Sequence, residues 1–373
     1  MNIQETAHLY LKTFISNFPD VKKAMENTNH HLPDQCPNYH LGESVWTHTL
    51  MVYSHVIEML KNYHDSYEFE KKCLLLAALL HDVGKPDAIK FKEGADKVVF
   101  YGHDSYSTFI ANDILRSYNL SQKEITTILR LINHHQLLFD FTNKNDKITD
   151  KAINKLTDKL ANYESITYNL NFYNMLYILR EADFKGNISN THSYISNNVS
   201  LKIVNGIKEK SALLSINREL NLTLPICYVM VGLPRSGKST YIETKFKGKE
   251  VLSRDNIVME LSPNLTYNEA FKSVDQSLVD SIYEKRFTEL INRKEDFVID
   301  KTNLSYNGRL KIRNKVKNKF NVKLVVMLPT MEEIRKRNNV EGKIISNEVY
   351  KKMMLTFNFP FDSESDHPIE FNL

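Results

Sequence analysis

The sequence predicts a multidomain protein, an all-α N-terminal helical bundle followed by a C-terminal α/β domain built on a parallel sheet. Three observations predict it. A chain of 373 residues is longer than one core usually organises, so two domains are expected. Residues 1–200 carry helical periodicity and, apart from a short hairpin pattern at 89–101, no strand pattern. From Ile226 onward, short apolar runs alternate with helix-compatible segments, which is how a parallel sheet with helices on both faces reads. The expected division is 1–200, a connecting helix over 201–221, and 222–373.

In the first half, 9–18 and 21–25 read as two short amphipathic helices, and HHLPDQCPNYHLGES as a loop. Residues 45–63 place Val45, Leu50, Val52, Val56, Met59 and Leu60 at helical spacing. The run 73–80 is almost wholly apolar, so its helix is expected to be buried on all sides. It ends in His81 and Asp82, then Gly84 and Lys85. Residues 102–121 read as a loop entering a helix, 124–139 as an amphipathic helix ending near His134 and His135, and 169–187 as an apolar helix reaching Asp183. The Asn/Ser-rich stretch 185–198 reads as an exposed loop and 200–220 as the connecting helix.

In the second half, strands are expected at 226–231, 250–253, 297–300 and 323–328. One long helix is expected over 267–293, with others over 307–319, 330–338 and 346–356, and the last dozen residues read as a loosely held tail. The first of these strands runs into Gly232-x-x-x-x-Gly237-Lys238-Ser239, the phosphate-binding loop pattern. Its glycines let backbone N–H groups, including those of Arg235, Ser236 and Thr240, curl toward phosphate oxygens. The following helix adds its positive dipole end. Lys238 supplies a charge for the β- and γ-phosphates of ATP or another nucleoside triphosphate, and Ser239 a hydroxyl for Mg²⁺. After the second strand come Arg254 and Asp255, where a carboxylate can accept a proton from an acceptor hydroxyl or can cap a helix.

Composition sets outer limits. Hydrophobic residues make up 42% and charged residues 25%, ordinary values for a globular protein. A net charge of +4 is too small to argue for nucleic-acid binding by itself. The three cysteines, Cys36, Cys73 and Cys227, form no framework, which fits a reducing cytoplasm. The start of the chain lacks a signal-peptide pattern, and no apolar run is long enough to span a membrane.

His48, His81–Asp82, His103, His134/His135 and Asp183 recur at the ends of apolar helices. Imidazole and carboxylate suit Mn²⁺, Co²⁺, Ni²⁺, Fe²⁺ or Zn²⁺. The order H…HD…H…HH…D, with the segments WTHTLMV, LAALLHDVGK, GHD and EADFKGN, resembles the HD phosphohydrolase superfamily over 42–186. That resemblance implies one ion held by His48, His81, Asp82 and Asp183. It implies a second brought in by His103 and one of His134 and His135, and a substrate phosphate met by Lys85. His8, His30, His31, His55, His64, His192 and His367 fit no pattern and read as surface or packing residues.

GLPRSGKST, then SRD at 253–255, then DKTNL at 300–304 resemble polynucleotide 5′-kinases of the phage type over 226–356. This implies Asp255 as general base and Arg337 as a lid arginine on the transferring phosphate. The family's second lid arginine falls at Glu341, with Lys343 nearby as a substitute, and the arginine three residues after the catalytic aspartate is Val258. The two modules together resemble the bacterial HD-Pnk family of RNA end-healing enzymes. The implied activities are phosphate transfer to a 5′-OH polynucleotide end, RNA or DNA, and hydrolysis of 2′,3′-cyclic, 2′- or 3′-phosphate ends. No K-x-D-G ligase pattern is present, so sealing is expected from a separate ligase. The alternatives are a nucleoside or small-molecule kinase fused to a nucleotide phosphohydrolase, and a nucleotide-sensing switch without catalysis.

Overall fold

The computed structural model describes residues 2–31, 42–61, 63, 67–92, 97–138, 154, 170–188, 204–206, 209, 223–338 and 344–373. The chain divides into two compact units, Met1–Asn217 and Arg218–Leu373. Most of the expected loop at 185–198 and of the connecting helix at 201–221 lies outside the described residues.

The first unit is helical: α1 (Ile3–Asn17), α2 (Pro19–Glu26), α3 (Val45–Leu60), α4 (Glu68–Leu80), α5 (Lys85–Ala88), α6 (His103–Leu115), α7 (Gln122–His134) and α8 (Leu170–Lys185). Between α5 and α6, β1 (Lys90–Lys92) and β2 (Lys97–Val99) pair antiparallel, as the hairpin pattern predicted. Helix starts follow the local sequence. Ser44 caps α3 by accepting from the Thr47 amide, and Ser121 with Glu124 forms a reciprocal capping box on α7. The apolar run of α4 sits at the centre of the bundle, packed against α3, α7 and α8. Every residue from Cys73 to Leu80 is fully buried, so whatever ends this helix also lies inside.

The second unit is a parallel sheet in the order β4–β5–β3–β6–β7. Its strands are β3 (Ile226–Val231), β4 (Glu250–Ser253), β5 (Phe297–Asp300), β6 (Asn321–Met327) and β7 (Glu370–Asn372). Its helices are α9 (Lys238–Lys245), α10 (Arg254–Leu261), α11 (Tyr267–Ser273), α12 (Gln276–Arg293), α13 (Tyr306–Val316), α14 (Met331–Asn338) and α15 (Asn347–Met354). Alternate residues of β3 face opposite layers. Cys227 and Val229 join a core with Val258, Val279, Phe287 and Val316, while Met230 joins Ile242, Phe246 and Val298.

Two expectations change. The long helix over 267–293 is broken into α11 and α12, because Asp275 caps a new start by accepting from the Ser277 amide. The last dozen residues are no loose tail. β7 adds a parallel strand to β6, Phe359 stacks on Phe371, and the Asp366 carboxylate accepts from the Val322 amide at 2.7 Å. Arg309 ties this segment in. Its guanidinium donates to Glu364, to the carbonyls of Asn303 and Leu304, and to the carbonyl of Asn358. β7 itself spans three residues, Glu370–Asn372, too few for a strand period to show in the sequence.

Candidate active sites

In the helical unit, helix ends and the turns beside them deliver polar side chains into the core. His48 lies one turn into α3, and His81 and Asp82 follow the buried end of α4. His103 opens α6, His135 follows the end of α7, and Asp183 sits near the end of α8. The turn after Asp82 is held close to α6. Gly84 donates to the Ser107 hydroxyl, and a Cβ on Gly84 would fall 2.5 Å from the Ser107 amide nitrogen. Only glycine allows that approach, and it fixes the distance between Asp82 and His103.

Four imidazoles turn the same way. Nδ1 of His48, His81, His103 and His135 donates to the carbonyl of Gly186, Ala78, Phe100 and Ile132 respectively. A carbonyl can only accept, so each Nδ1 carries a proton and each Nε2 faces inward, where the neutral ring presents a lone pair. Nε2 of His48 lies 2.9 Å from Oδ1 of Asp183. Nε2 of His103 lies 3.2 Å from Nε2 of His135. Asp82 stands between the two groups. Its Oδ2 is 3.2 Å from His81 Nε2, and its Oδ1 is 3.3 Å from His103 Nε2. The potential ligand atoms form two buried triads, His48–His81–Asp183 and Asp82–His103–His135, each with its atoms within 4.8 Å of one another.

Lone pairs facing one another in a dry core are costly unless a cation lies among them. His81 Nε2 and Asp82 Oδ1 have no hydrogen-bond partner, while Asp82 Oδ2 meets the Lys85 ammonium at 2.7 Å. The donor set and these orphaned atoms therefore fit divalent cations. A carbonyl that accepts from Nδ1, as at all four rings, is a usual means of orienting an imidazole ligand. Charge follows the same plan. Burial opposes ionisation of Asp82, but His81 and Lys85 outweigh it and hold the carboxyl well below its ordinary value. Burial likewise opposes ionisation of Asp183, yet the imidazoles of His48 and His81 beside it hold the carboxyl below its ordinary value. Burial, reinforced by His103 and His81, pushes His135 down to about 3, so its ring stays neutral and able to ligate.

Of the metal candidates that the sequence offers in the helical half, the structure brings together all except His134. That residue is the last of α7, and of the adjacent pair only His135 joins a triad. In the helical unit one residue was missed. His30, read as a surface or packing side chain, is buried, and its Nδ1 donates to the Glu43 carbonyl while its Nε2 accepts from Lys85 at 2.9 Å. No spacing rule points to it, because it reaches the cluster from a separate helix–loop segment.

In the α/β unit, Gly232 and Gly237 take φ of +156° and +98°, and a Cβ on Gly232 would meet the Met327 carbonyl at 2.7 Å. Lys238 is folded across the loop, donating to the carbonyls of Gly232 and Leu233. Arg337 arches over from α14, 3.4 Å from the Arg235 carbonyl. The loop opens into a cavity of about 1320 Å³ lined by Arg235, Ser239, Thr240, Asp255, Asp300 and Arg337 among others. All of this lies at the carboxyl edge of the sheet, where β3, β4 and β5 end. The cap of α10 is Ser253, which accepts from the Asn256 amide, so Asp255 is not needed as the cap. Val258 is fully buried in the core, and positive charge near Asp255 comes from Arg254 and Lys301, which line the same cavity. Burial, then Arg254, holds the Lys301 ammonium below its usual value. Asp300 and Lys301 were not singled out from the sequence as site residues. Glu341 and Lys343 lie outside the described residues.

With both sites in view, two family models match parts of the chain. Residues 45–163 match the family model of the HD domain, and residues 228–360 match a family model described as an AAA domain. The fold is a helical HD-type domain followed by a P-loop kinase-like domain. No curated protein matches the chain at a significant level. Among the described residues, no helix is long and apolar enough to cross a membrane.

Proposed function

We propose that this chain heals broken polynucleotide ends, phosphorylating 5′-OH termini in its C-terminal domain and removing 2′,3′-cyclic, 2′- or 3′-phosphates in its N-terminal domain. The observation that carries the reading is the cavity joining the phosphate loop to Asp255. At about 1320 Å³ it exceeds the several hundred Å³ a single small ligand usually needs, leaving room for a donor and an acceptor. In the transfer, the acceptor 5′-oxygen bonds to the γ-phosphorus as the bond from that phosphorus to the bridging oxygen breaks. The nucleoside diphosphate leaves with the bonding electron pair. Asp255 orients the hydroxyl and takes its proton, Lys238 leaves the loop carbonyls for the phosphates, and Arg337 meets the equatorial oxygens. Ser239 would hold Mg²⁺, which would supply neutralisation of the triphosphate's negative charge.

In the helical domain, His48, His81, Asp82 and Asp183 would hold one divalent cation and His103 with His135 a second, Asp82 facing both. When bound, such ions polarise a phosphate ester and ease the ionisation of water. Lys85, whose ammonium donates to His30 and lies 2.7 Å from Asp82 Oδ2, would bind a phosphate oxygen. The products are the 5′-phosphate and 3′-hydroxyl ends that a separate ligase requires.

The test incubates the protein with γ-labelled ATP, Mg²⁺ and a 5′-OH RNA, and separately with Mn²⁺ and an RNA ending in a 3′- or cyclic phosphate. Label on the RNA and phosphate lost from the second substrate are expected. Transfer to free nucleosides but not to RNA would replace this reading with the small-molecule kinase.

A further inference from the structure

The same cavity has an aromatic wall that phosphate chemistry does not explain. Tyr267 and Phe271 stand one turn apart on α11, their rings 5.7 Å apart and inclined by 31°. Phe271 is 40% exposed and lines the cavity beside Lys272. The Arg254 guanidinium, anchored by Asp280 at 3.0 Å, lies 5.9 Å from the Phe271 ring centre. An exposed phenylalanine flanked by two cations is a poor way to build a core. It is a common way to hold a nucleobase, whose π-face stacks on the ring while its phosphates meet the cations.

Topology says which base. The phosphate loop follows β3 at the centre of the sheet, and Arg337 covers it from the β6 side. Arg254, Asp255 and α11 all follow β4, at the opposite edge. A γ-phosphate aimed from the loop toward Asp255 therefore points to the aromatic wall.

We propose that Tyr267 and Phe271 form the stacking subsite for the 5′-terminal nucleobase of the acceptor, with Arg254 and Lys272 facing the phosphates that follow it. This rests on the polynucleotide kinase reading above. Stacking accepts any base, so the subsite selects a strand end without selecting its sequence.

The experiment measures 5′-phosphorylation of a short 5′-OH RNA, and of the same RNA with an abasic 5′-terminal residue, by wild type, Phe271→Ala and Phe271→Trp. Phe271→Ala should raise the acceptor KM by roughly 5- to 150-fold with the KM for ATP unchanged, and Phe271→Trp should restore it. The wild type should discriminate against the abasic end, and Phe271→Ala should not. Thermal melting of each variant shows that it is folded. An unchanged acceptor KM, a rise confined to ATP, or undiminished discrimination by Phe271→Ala overturns the subsite while leaving the kinase reading standing. A wild type that labels no nucleic acid overturns the kinase reading, and the subsite with it.

Discussion

Replacing Asp255 by Asn separates chemistry from scaffolding. The substitution keeps the shape and a side-chain oxygen but removes the negative charge and the proton acceptor. Because Ser253 already caps α10, no cap is lost. What is lost is the favourable position of an anion in the first turn, worth about 0.3–1 kcal/mol. For a domain of this size that corresponds to a fall in melting temperature of about 1–4 °C. Ser253→Ala, which removes the actual cap, should cost about 1 kcal/mol and lower the melting temperature by about 2–4 °C. The two variants are thus nearly matched in stability. They should differ widely in turnover. As the base, Asp255 is worth about 10²–10⁴ in kcat, whereas Ser253→Ala should stay within a few-fold of wild type. The assay is transfer of label from ATP to a 5′-OH RNA at saturating substrates, with ATP affinity and thermal melting measured in parallel. Near-wild-type turnover by Asp255→Asn would refute the general-base role and weaken the end-healing reading.

Other consequences are as direct. Lys238→Ala should abolish 5′-phosphorylation and leave phosphate removal unchanged, and His81→Ala should do the reverse; a folded Lys238→Ala protein lacking both activities would contradict two independent sites. Gly84→Ala pushes a methyl group to 2.5 Å from the Ser107 nitrogen and must shift α6 with His103, so Mn²⁺ affinity measured by calorimetry should fall about 10-fold or more. Asp296 accepts from the Ile226 amide and from Lys249, each at 2.7 Å, and although burial opposes it these bonds hold its carboxyl below the usual value of 3.8. Its contribution is therefore fully present above 3.8 and is lost as pH falls through the lowered value. Asp296→Asn should melt lower at neutral pH and lose less stability on acidification below about pH 4, as thermal melts across pH would record.

The sequence by itself determined the two-domain architecture, the phosphate loop and most of the metal candidates, because each rests on local chemistry. A strand running into Gly232–Ser239 can form one kind of turn, and an apolar helix that ends in His81–Asp82 must carry those side chains inside. What only the tertiary structure decided depends on groups far apart in the chain. Neighbouring His134 and His135 point differently, and the choice between them follows from where α7 meets His103 and Asp82. His30 reaches Lys85 across 55 residues with no periodicity to announce it. Asp255 gave way as the cap because Ser253 held that place, a matter of backbone geometry rather than of residue type. The final residues joined the sheet because partners far away in the chain meet them there: Arg309 donates to Glu364, Arg313 donates to Asp366, and Asp366 also accepts from the Val322 amide of β6. Local physics writes elements and motifs into the sequence, while partners chosen across the fold emerge only when the chain has closed on itself.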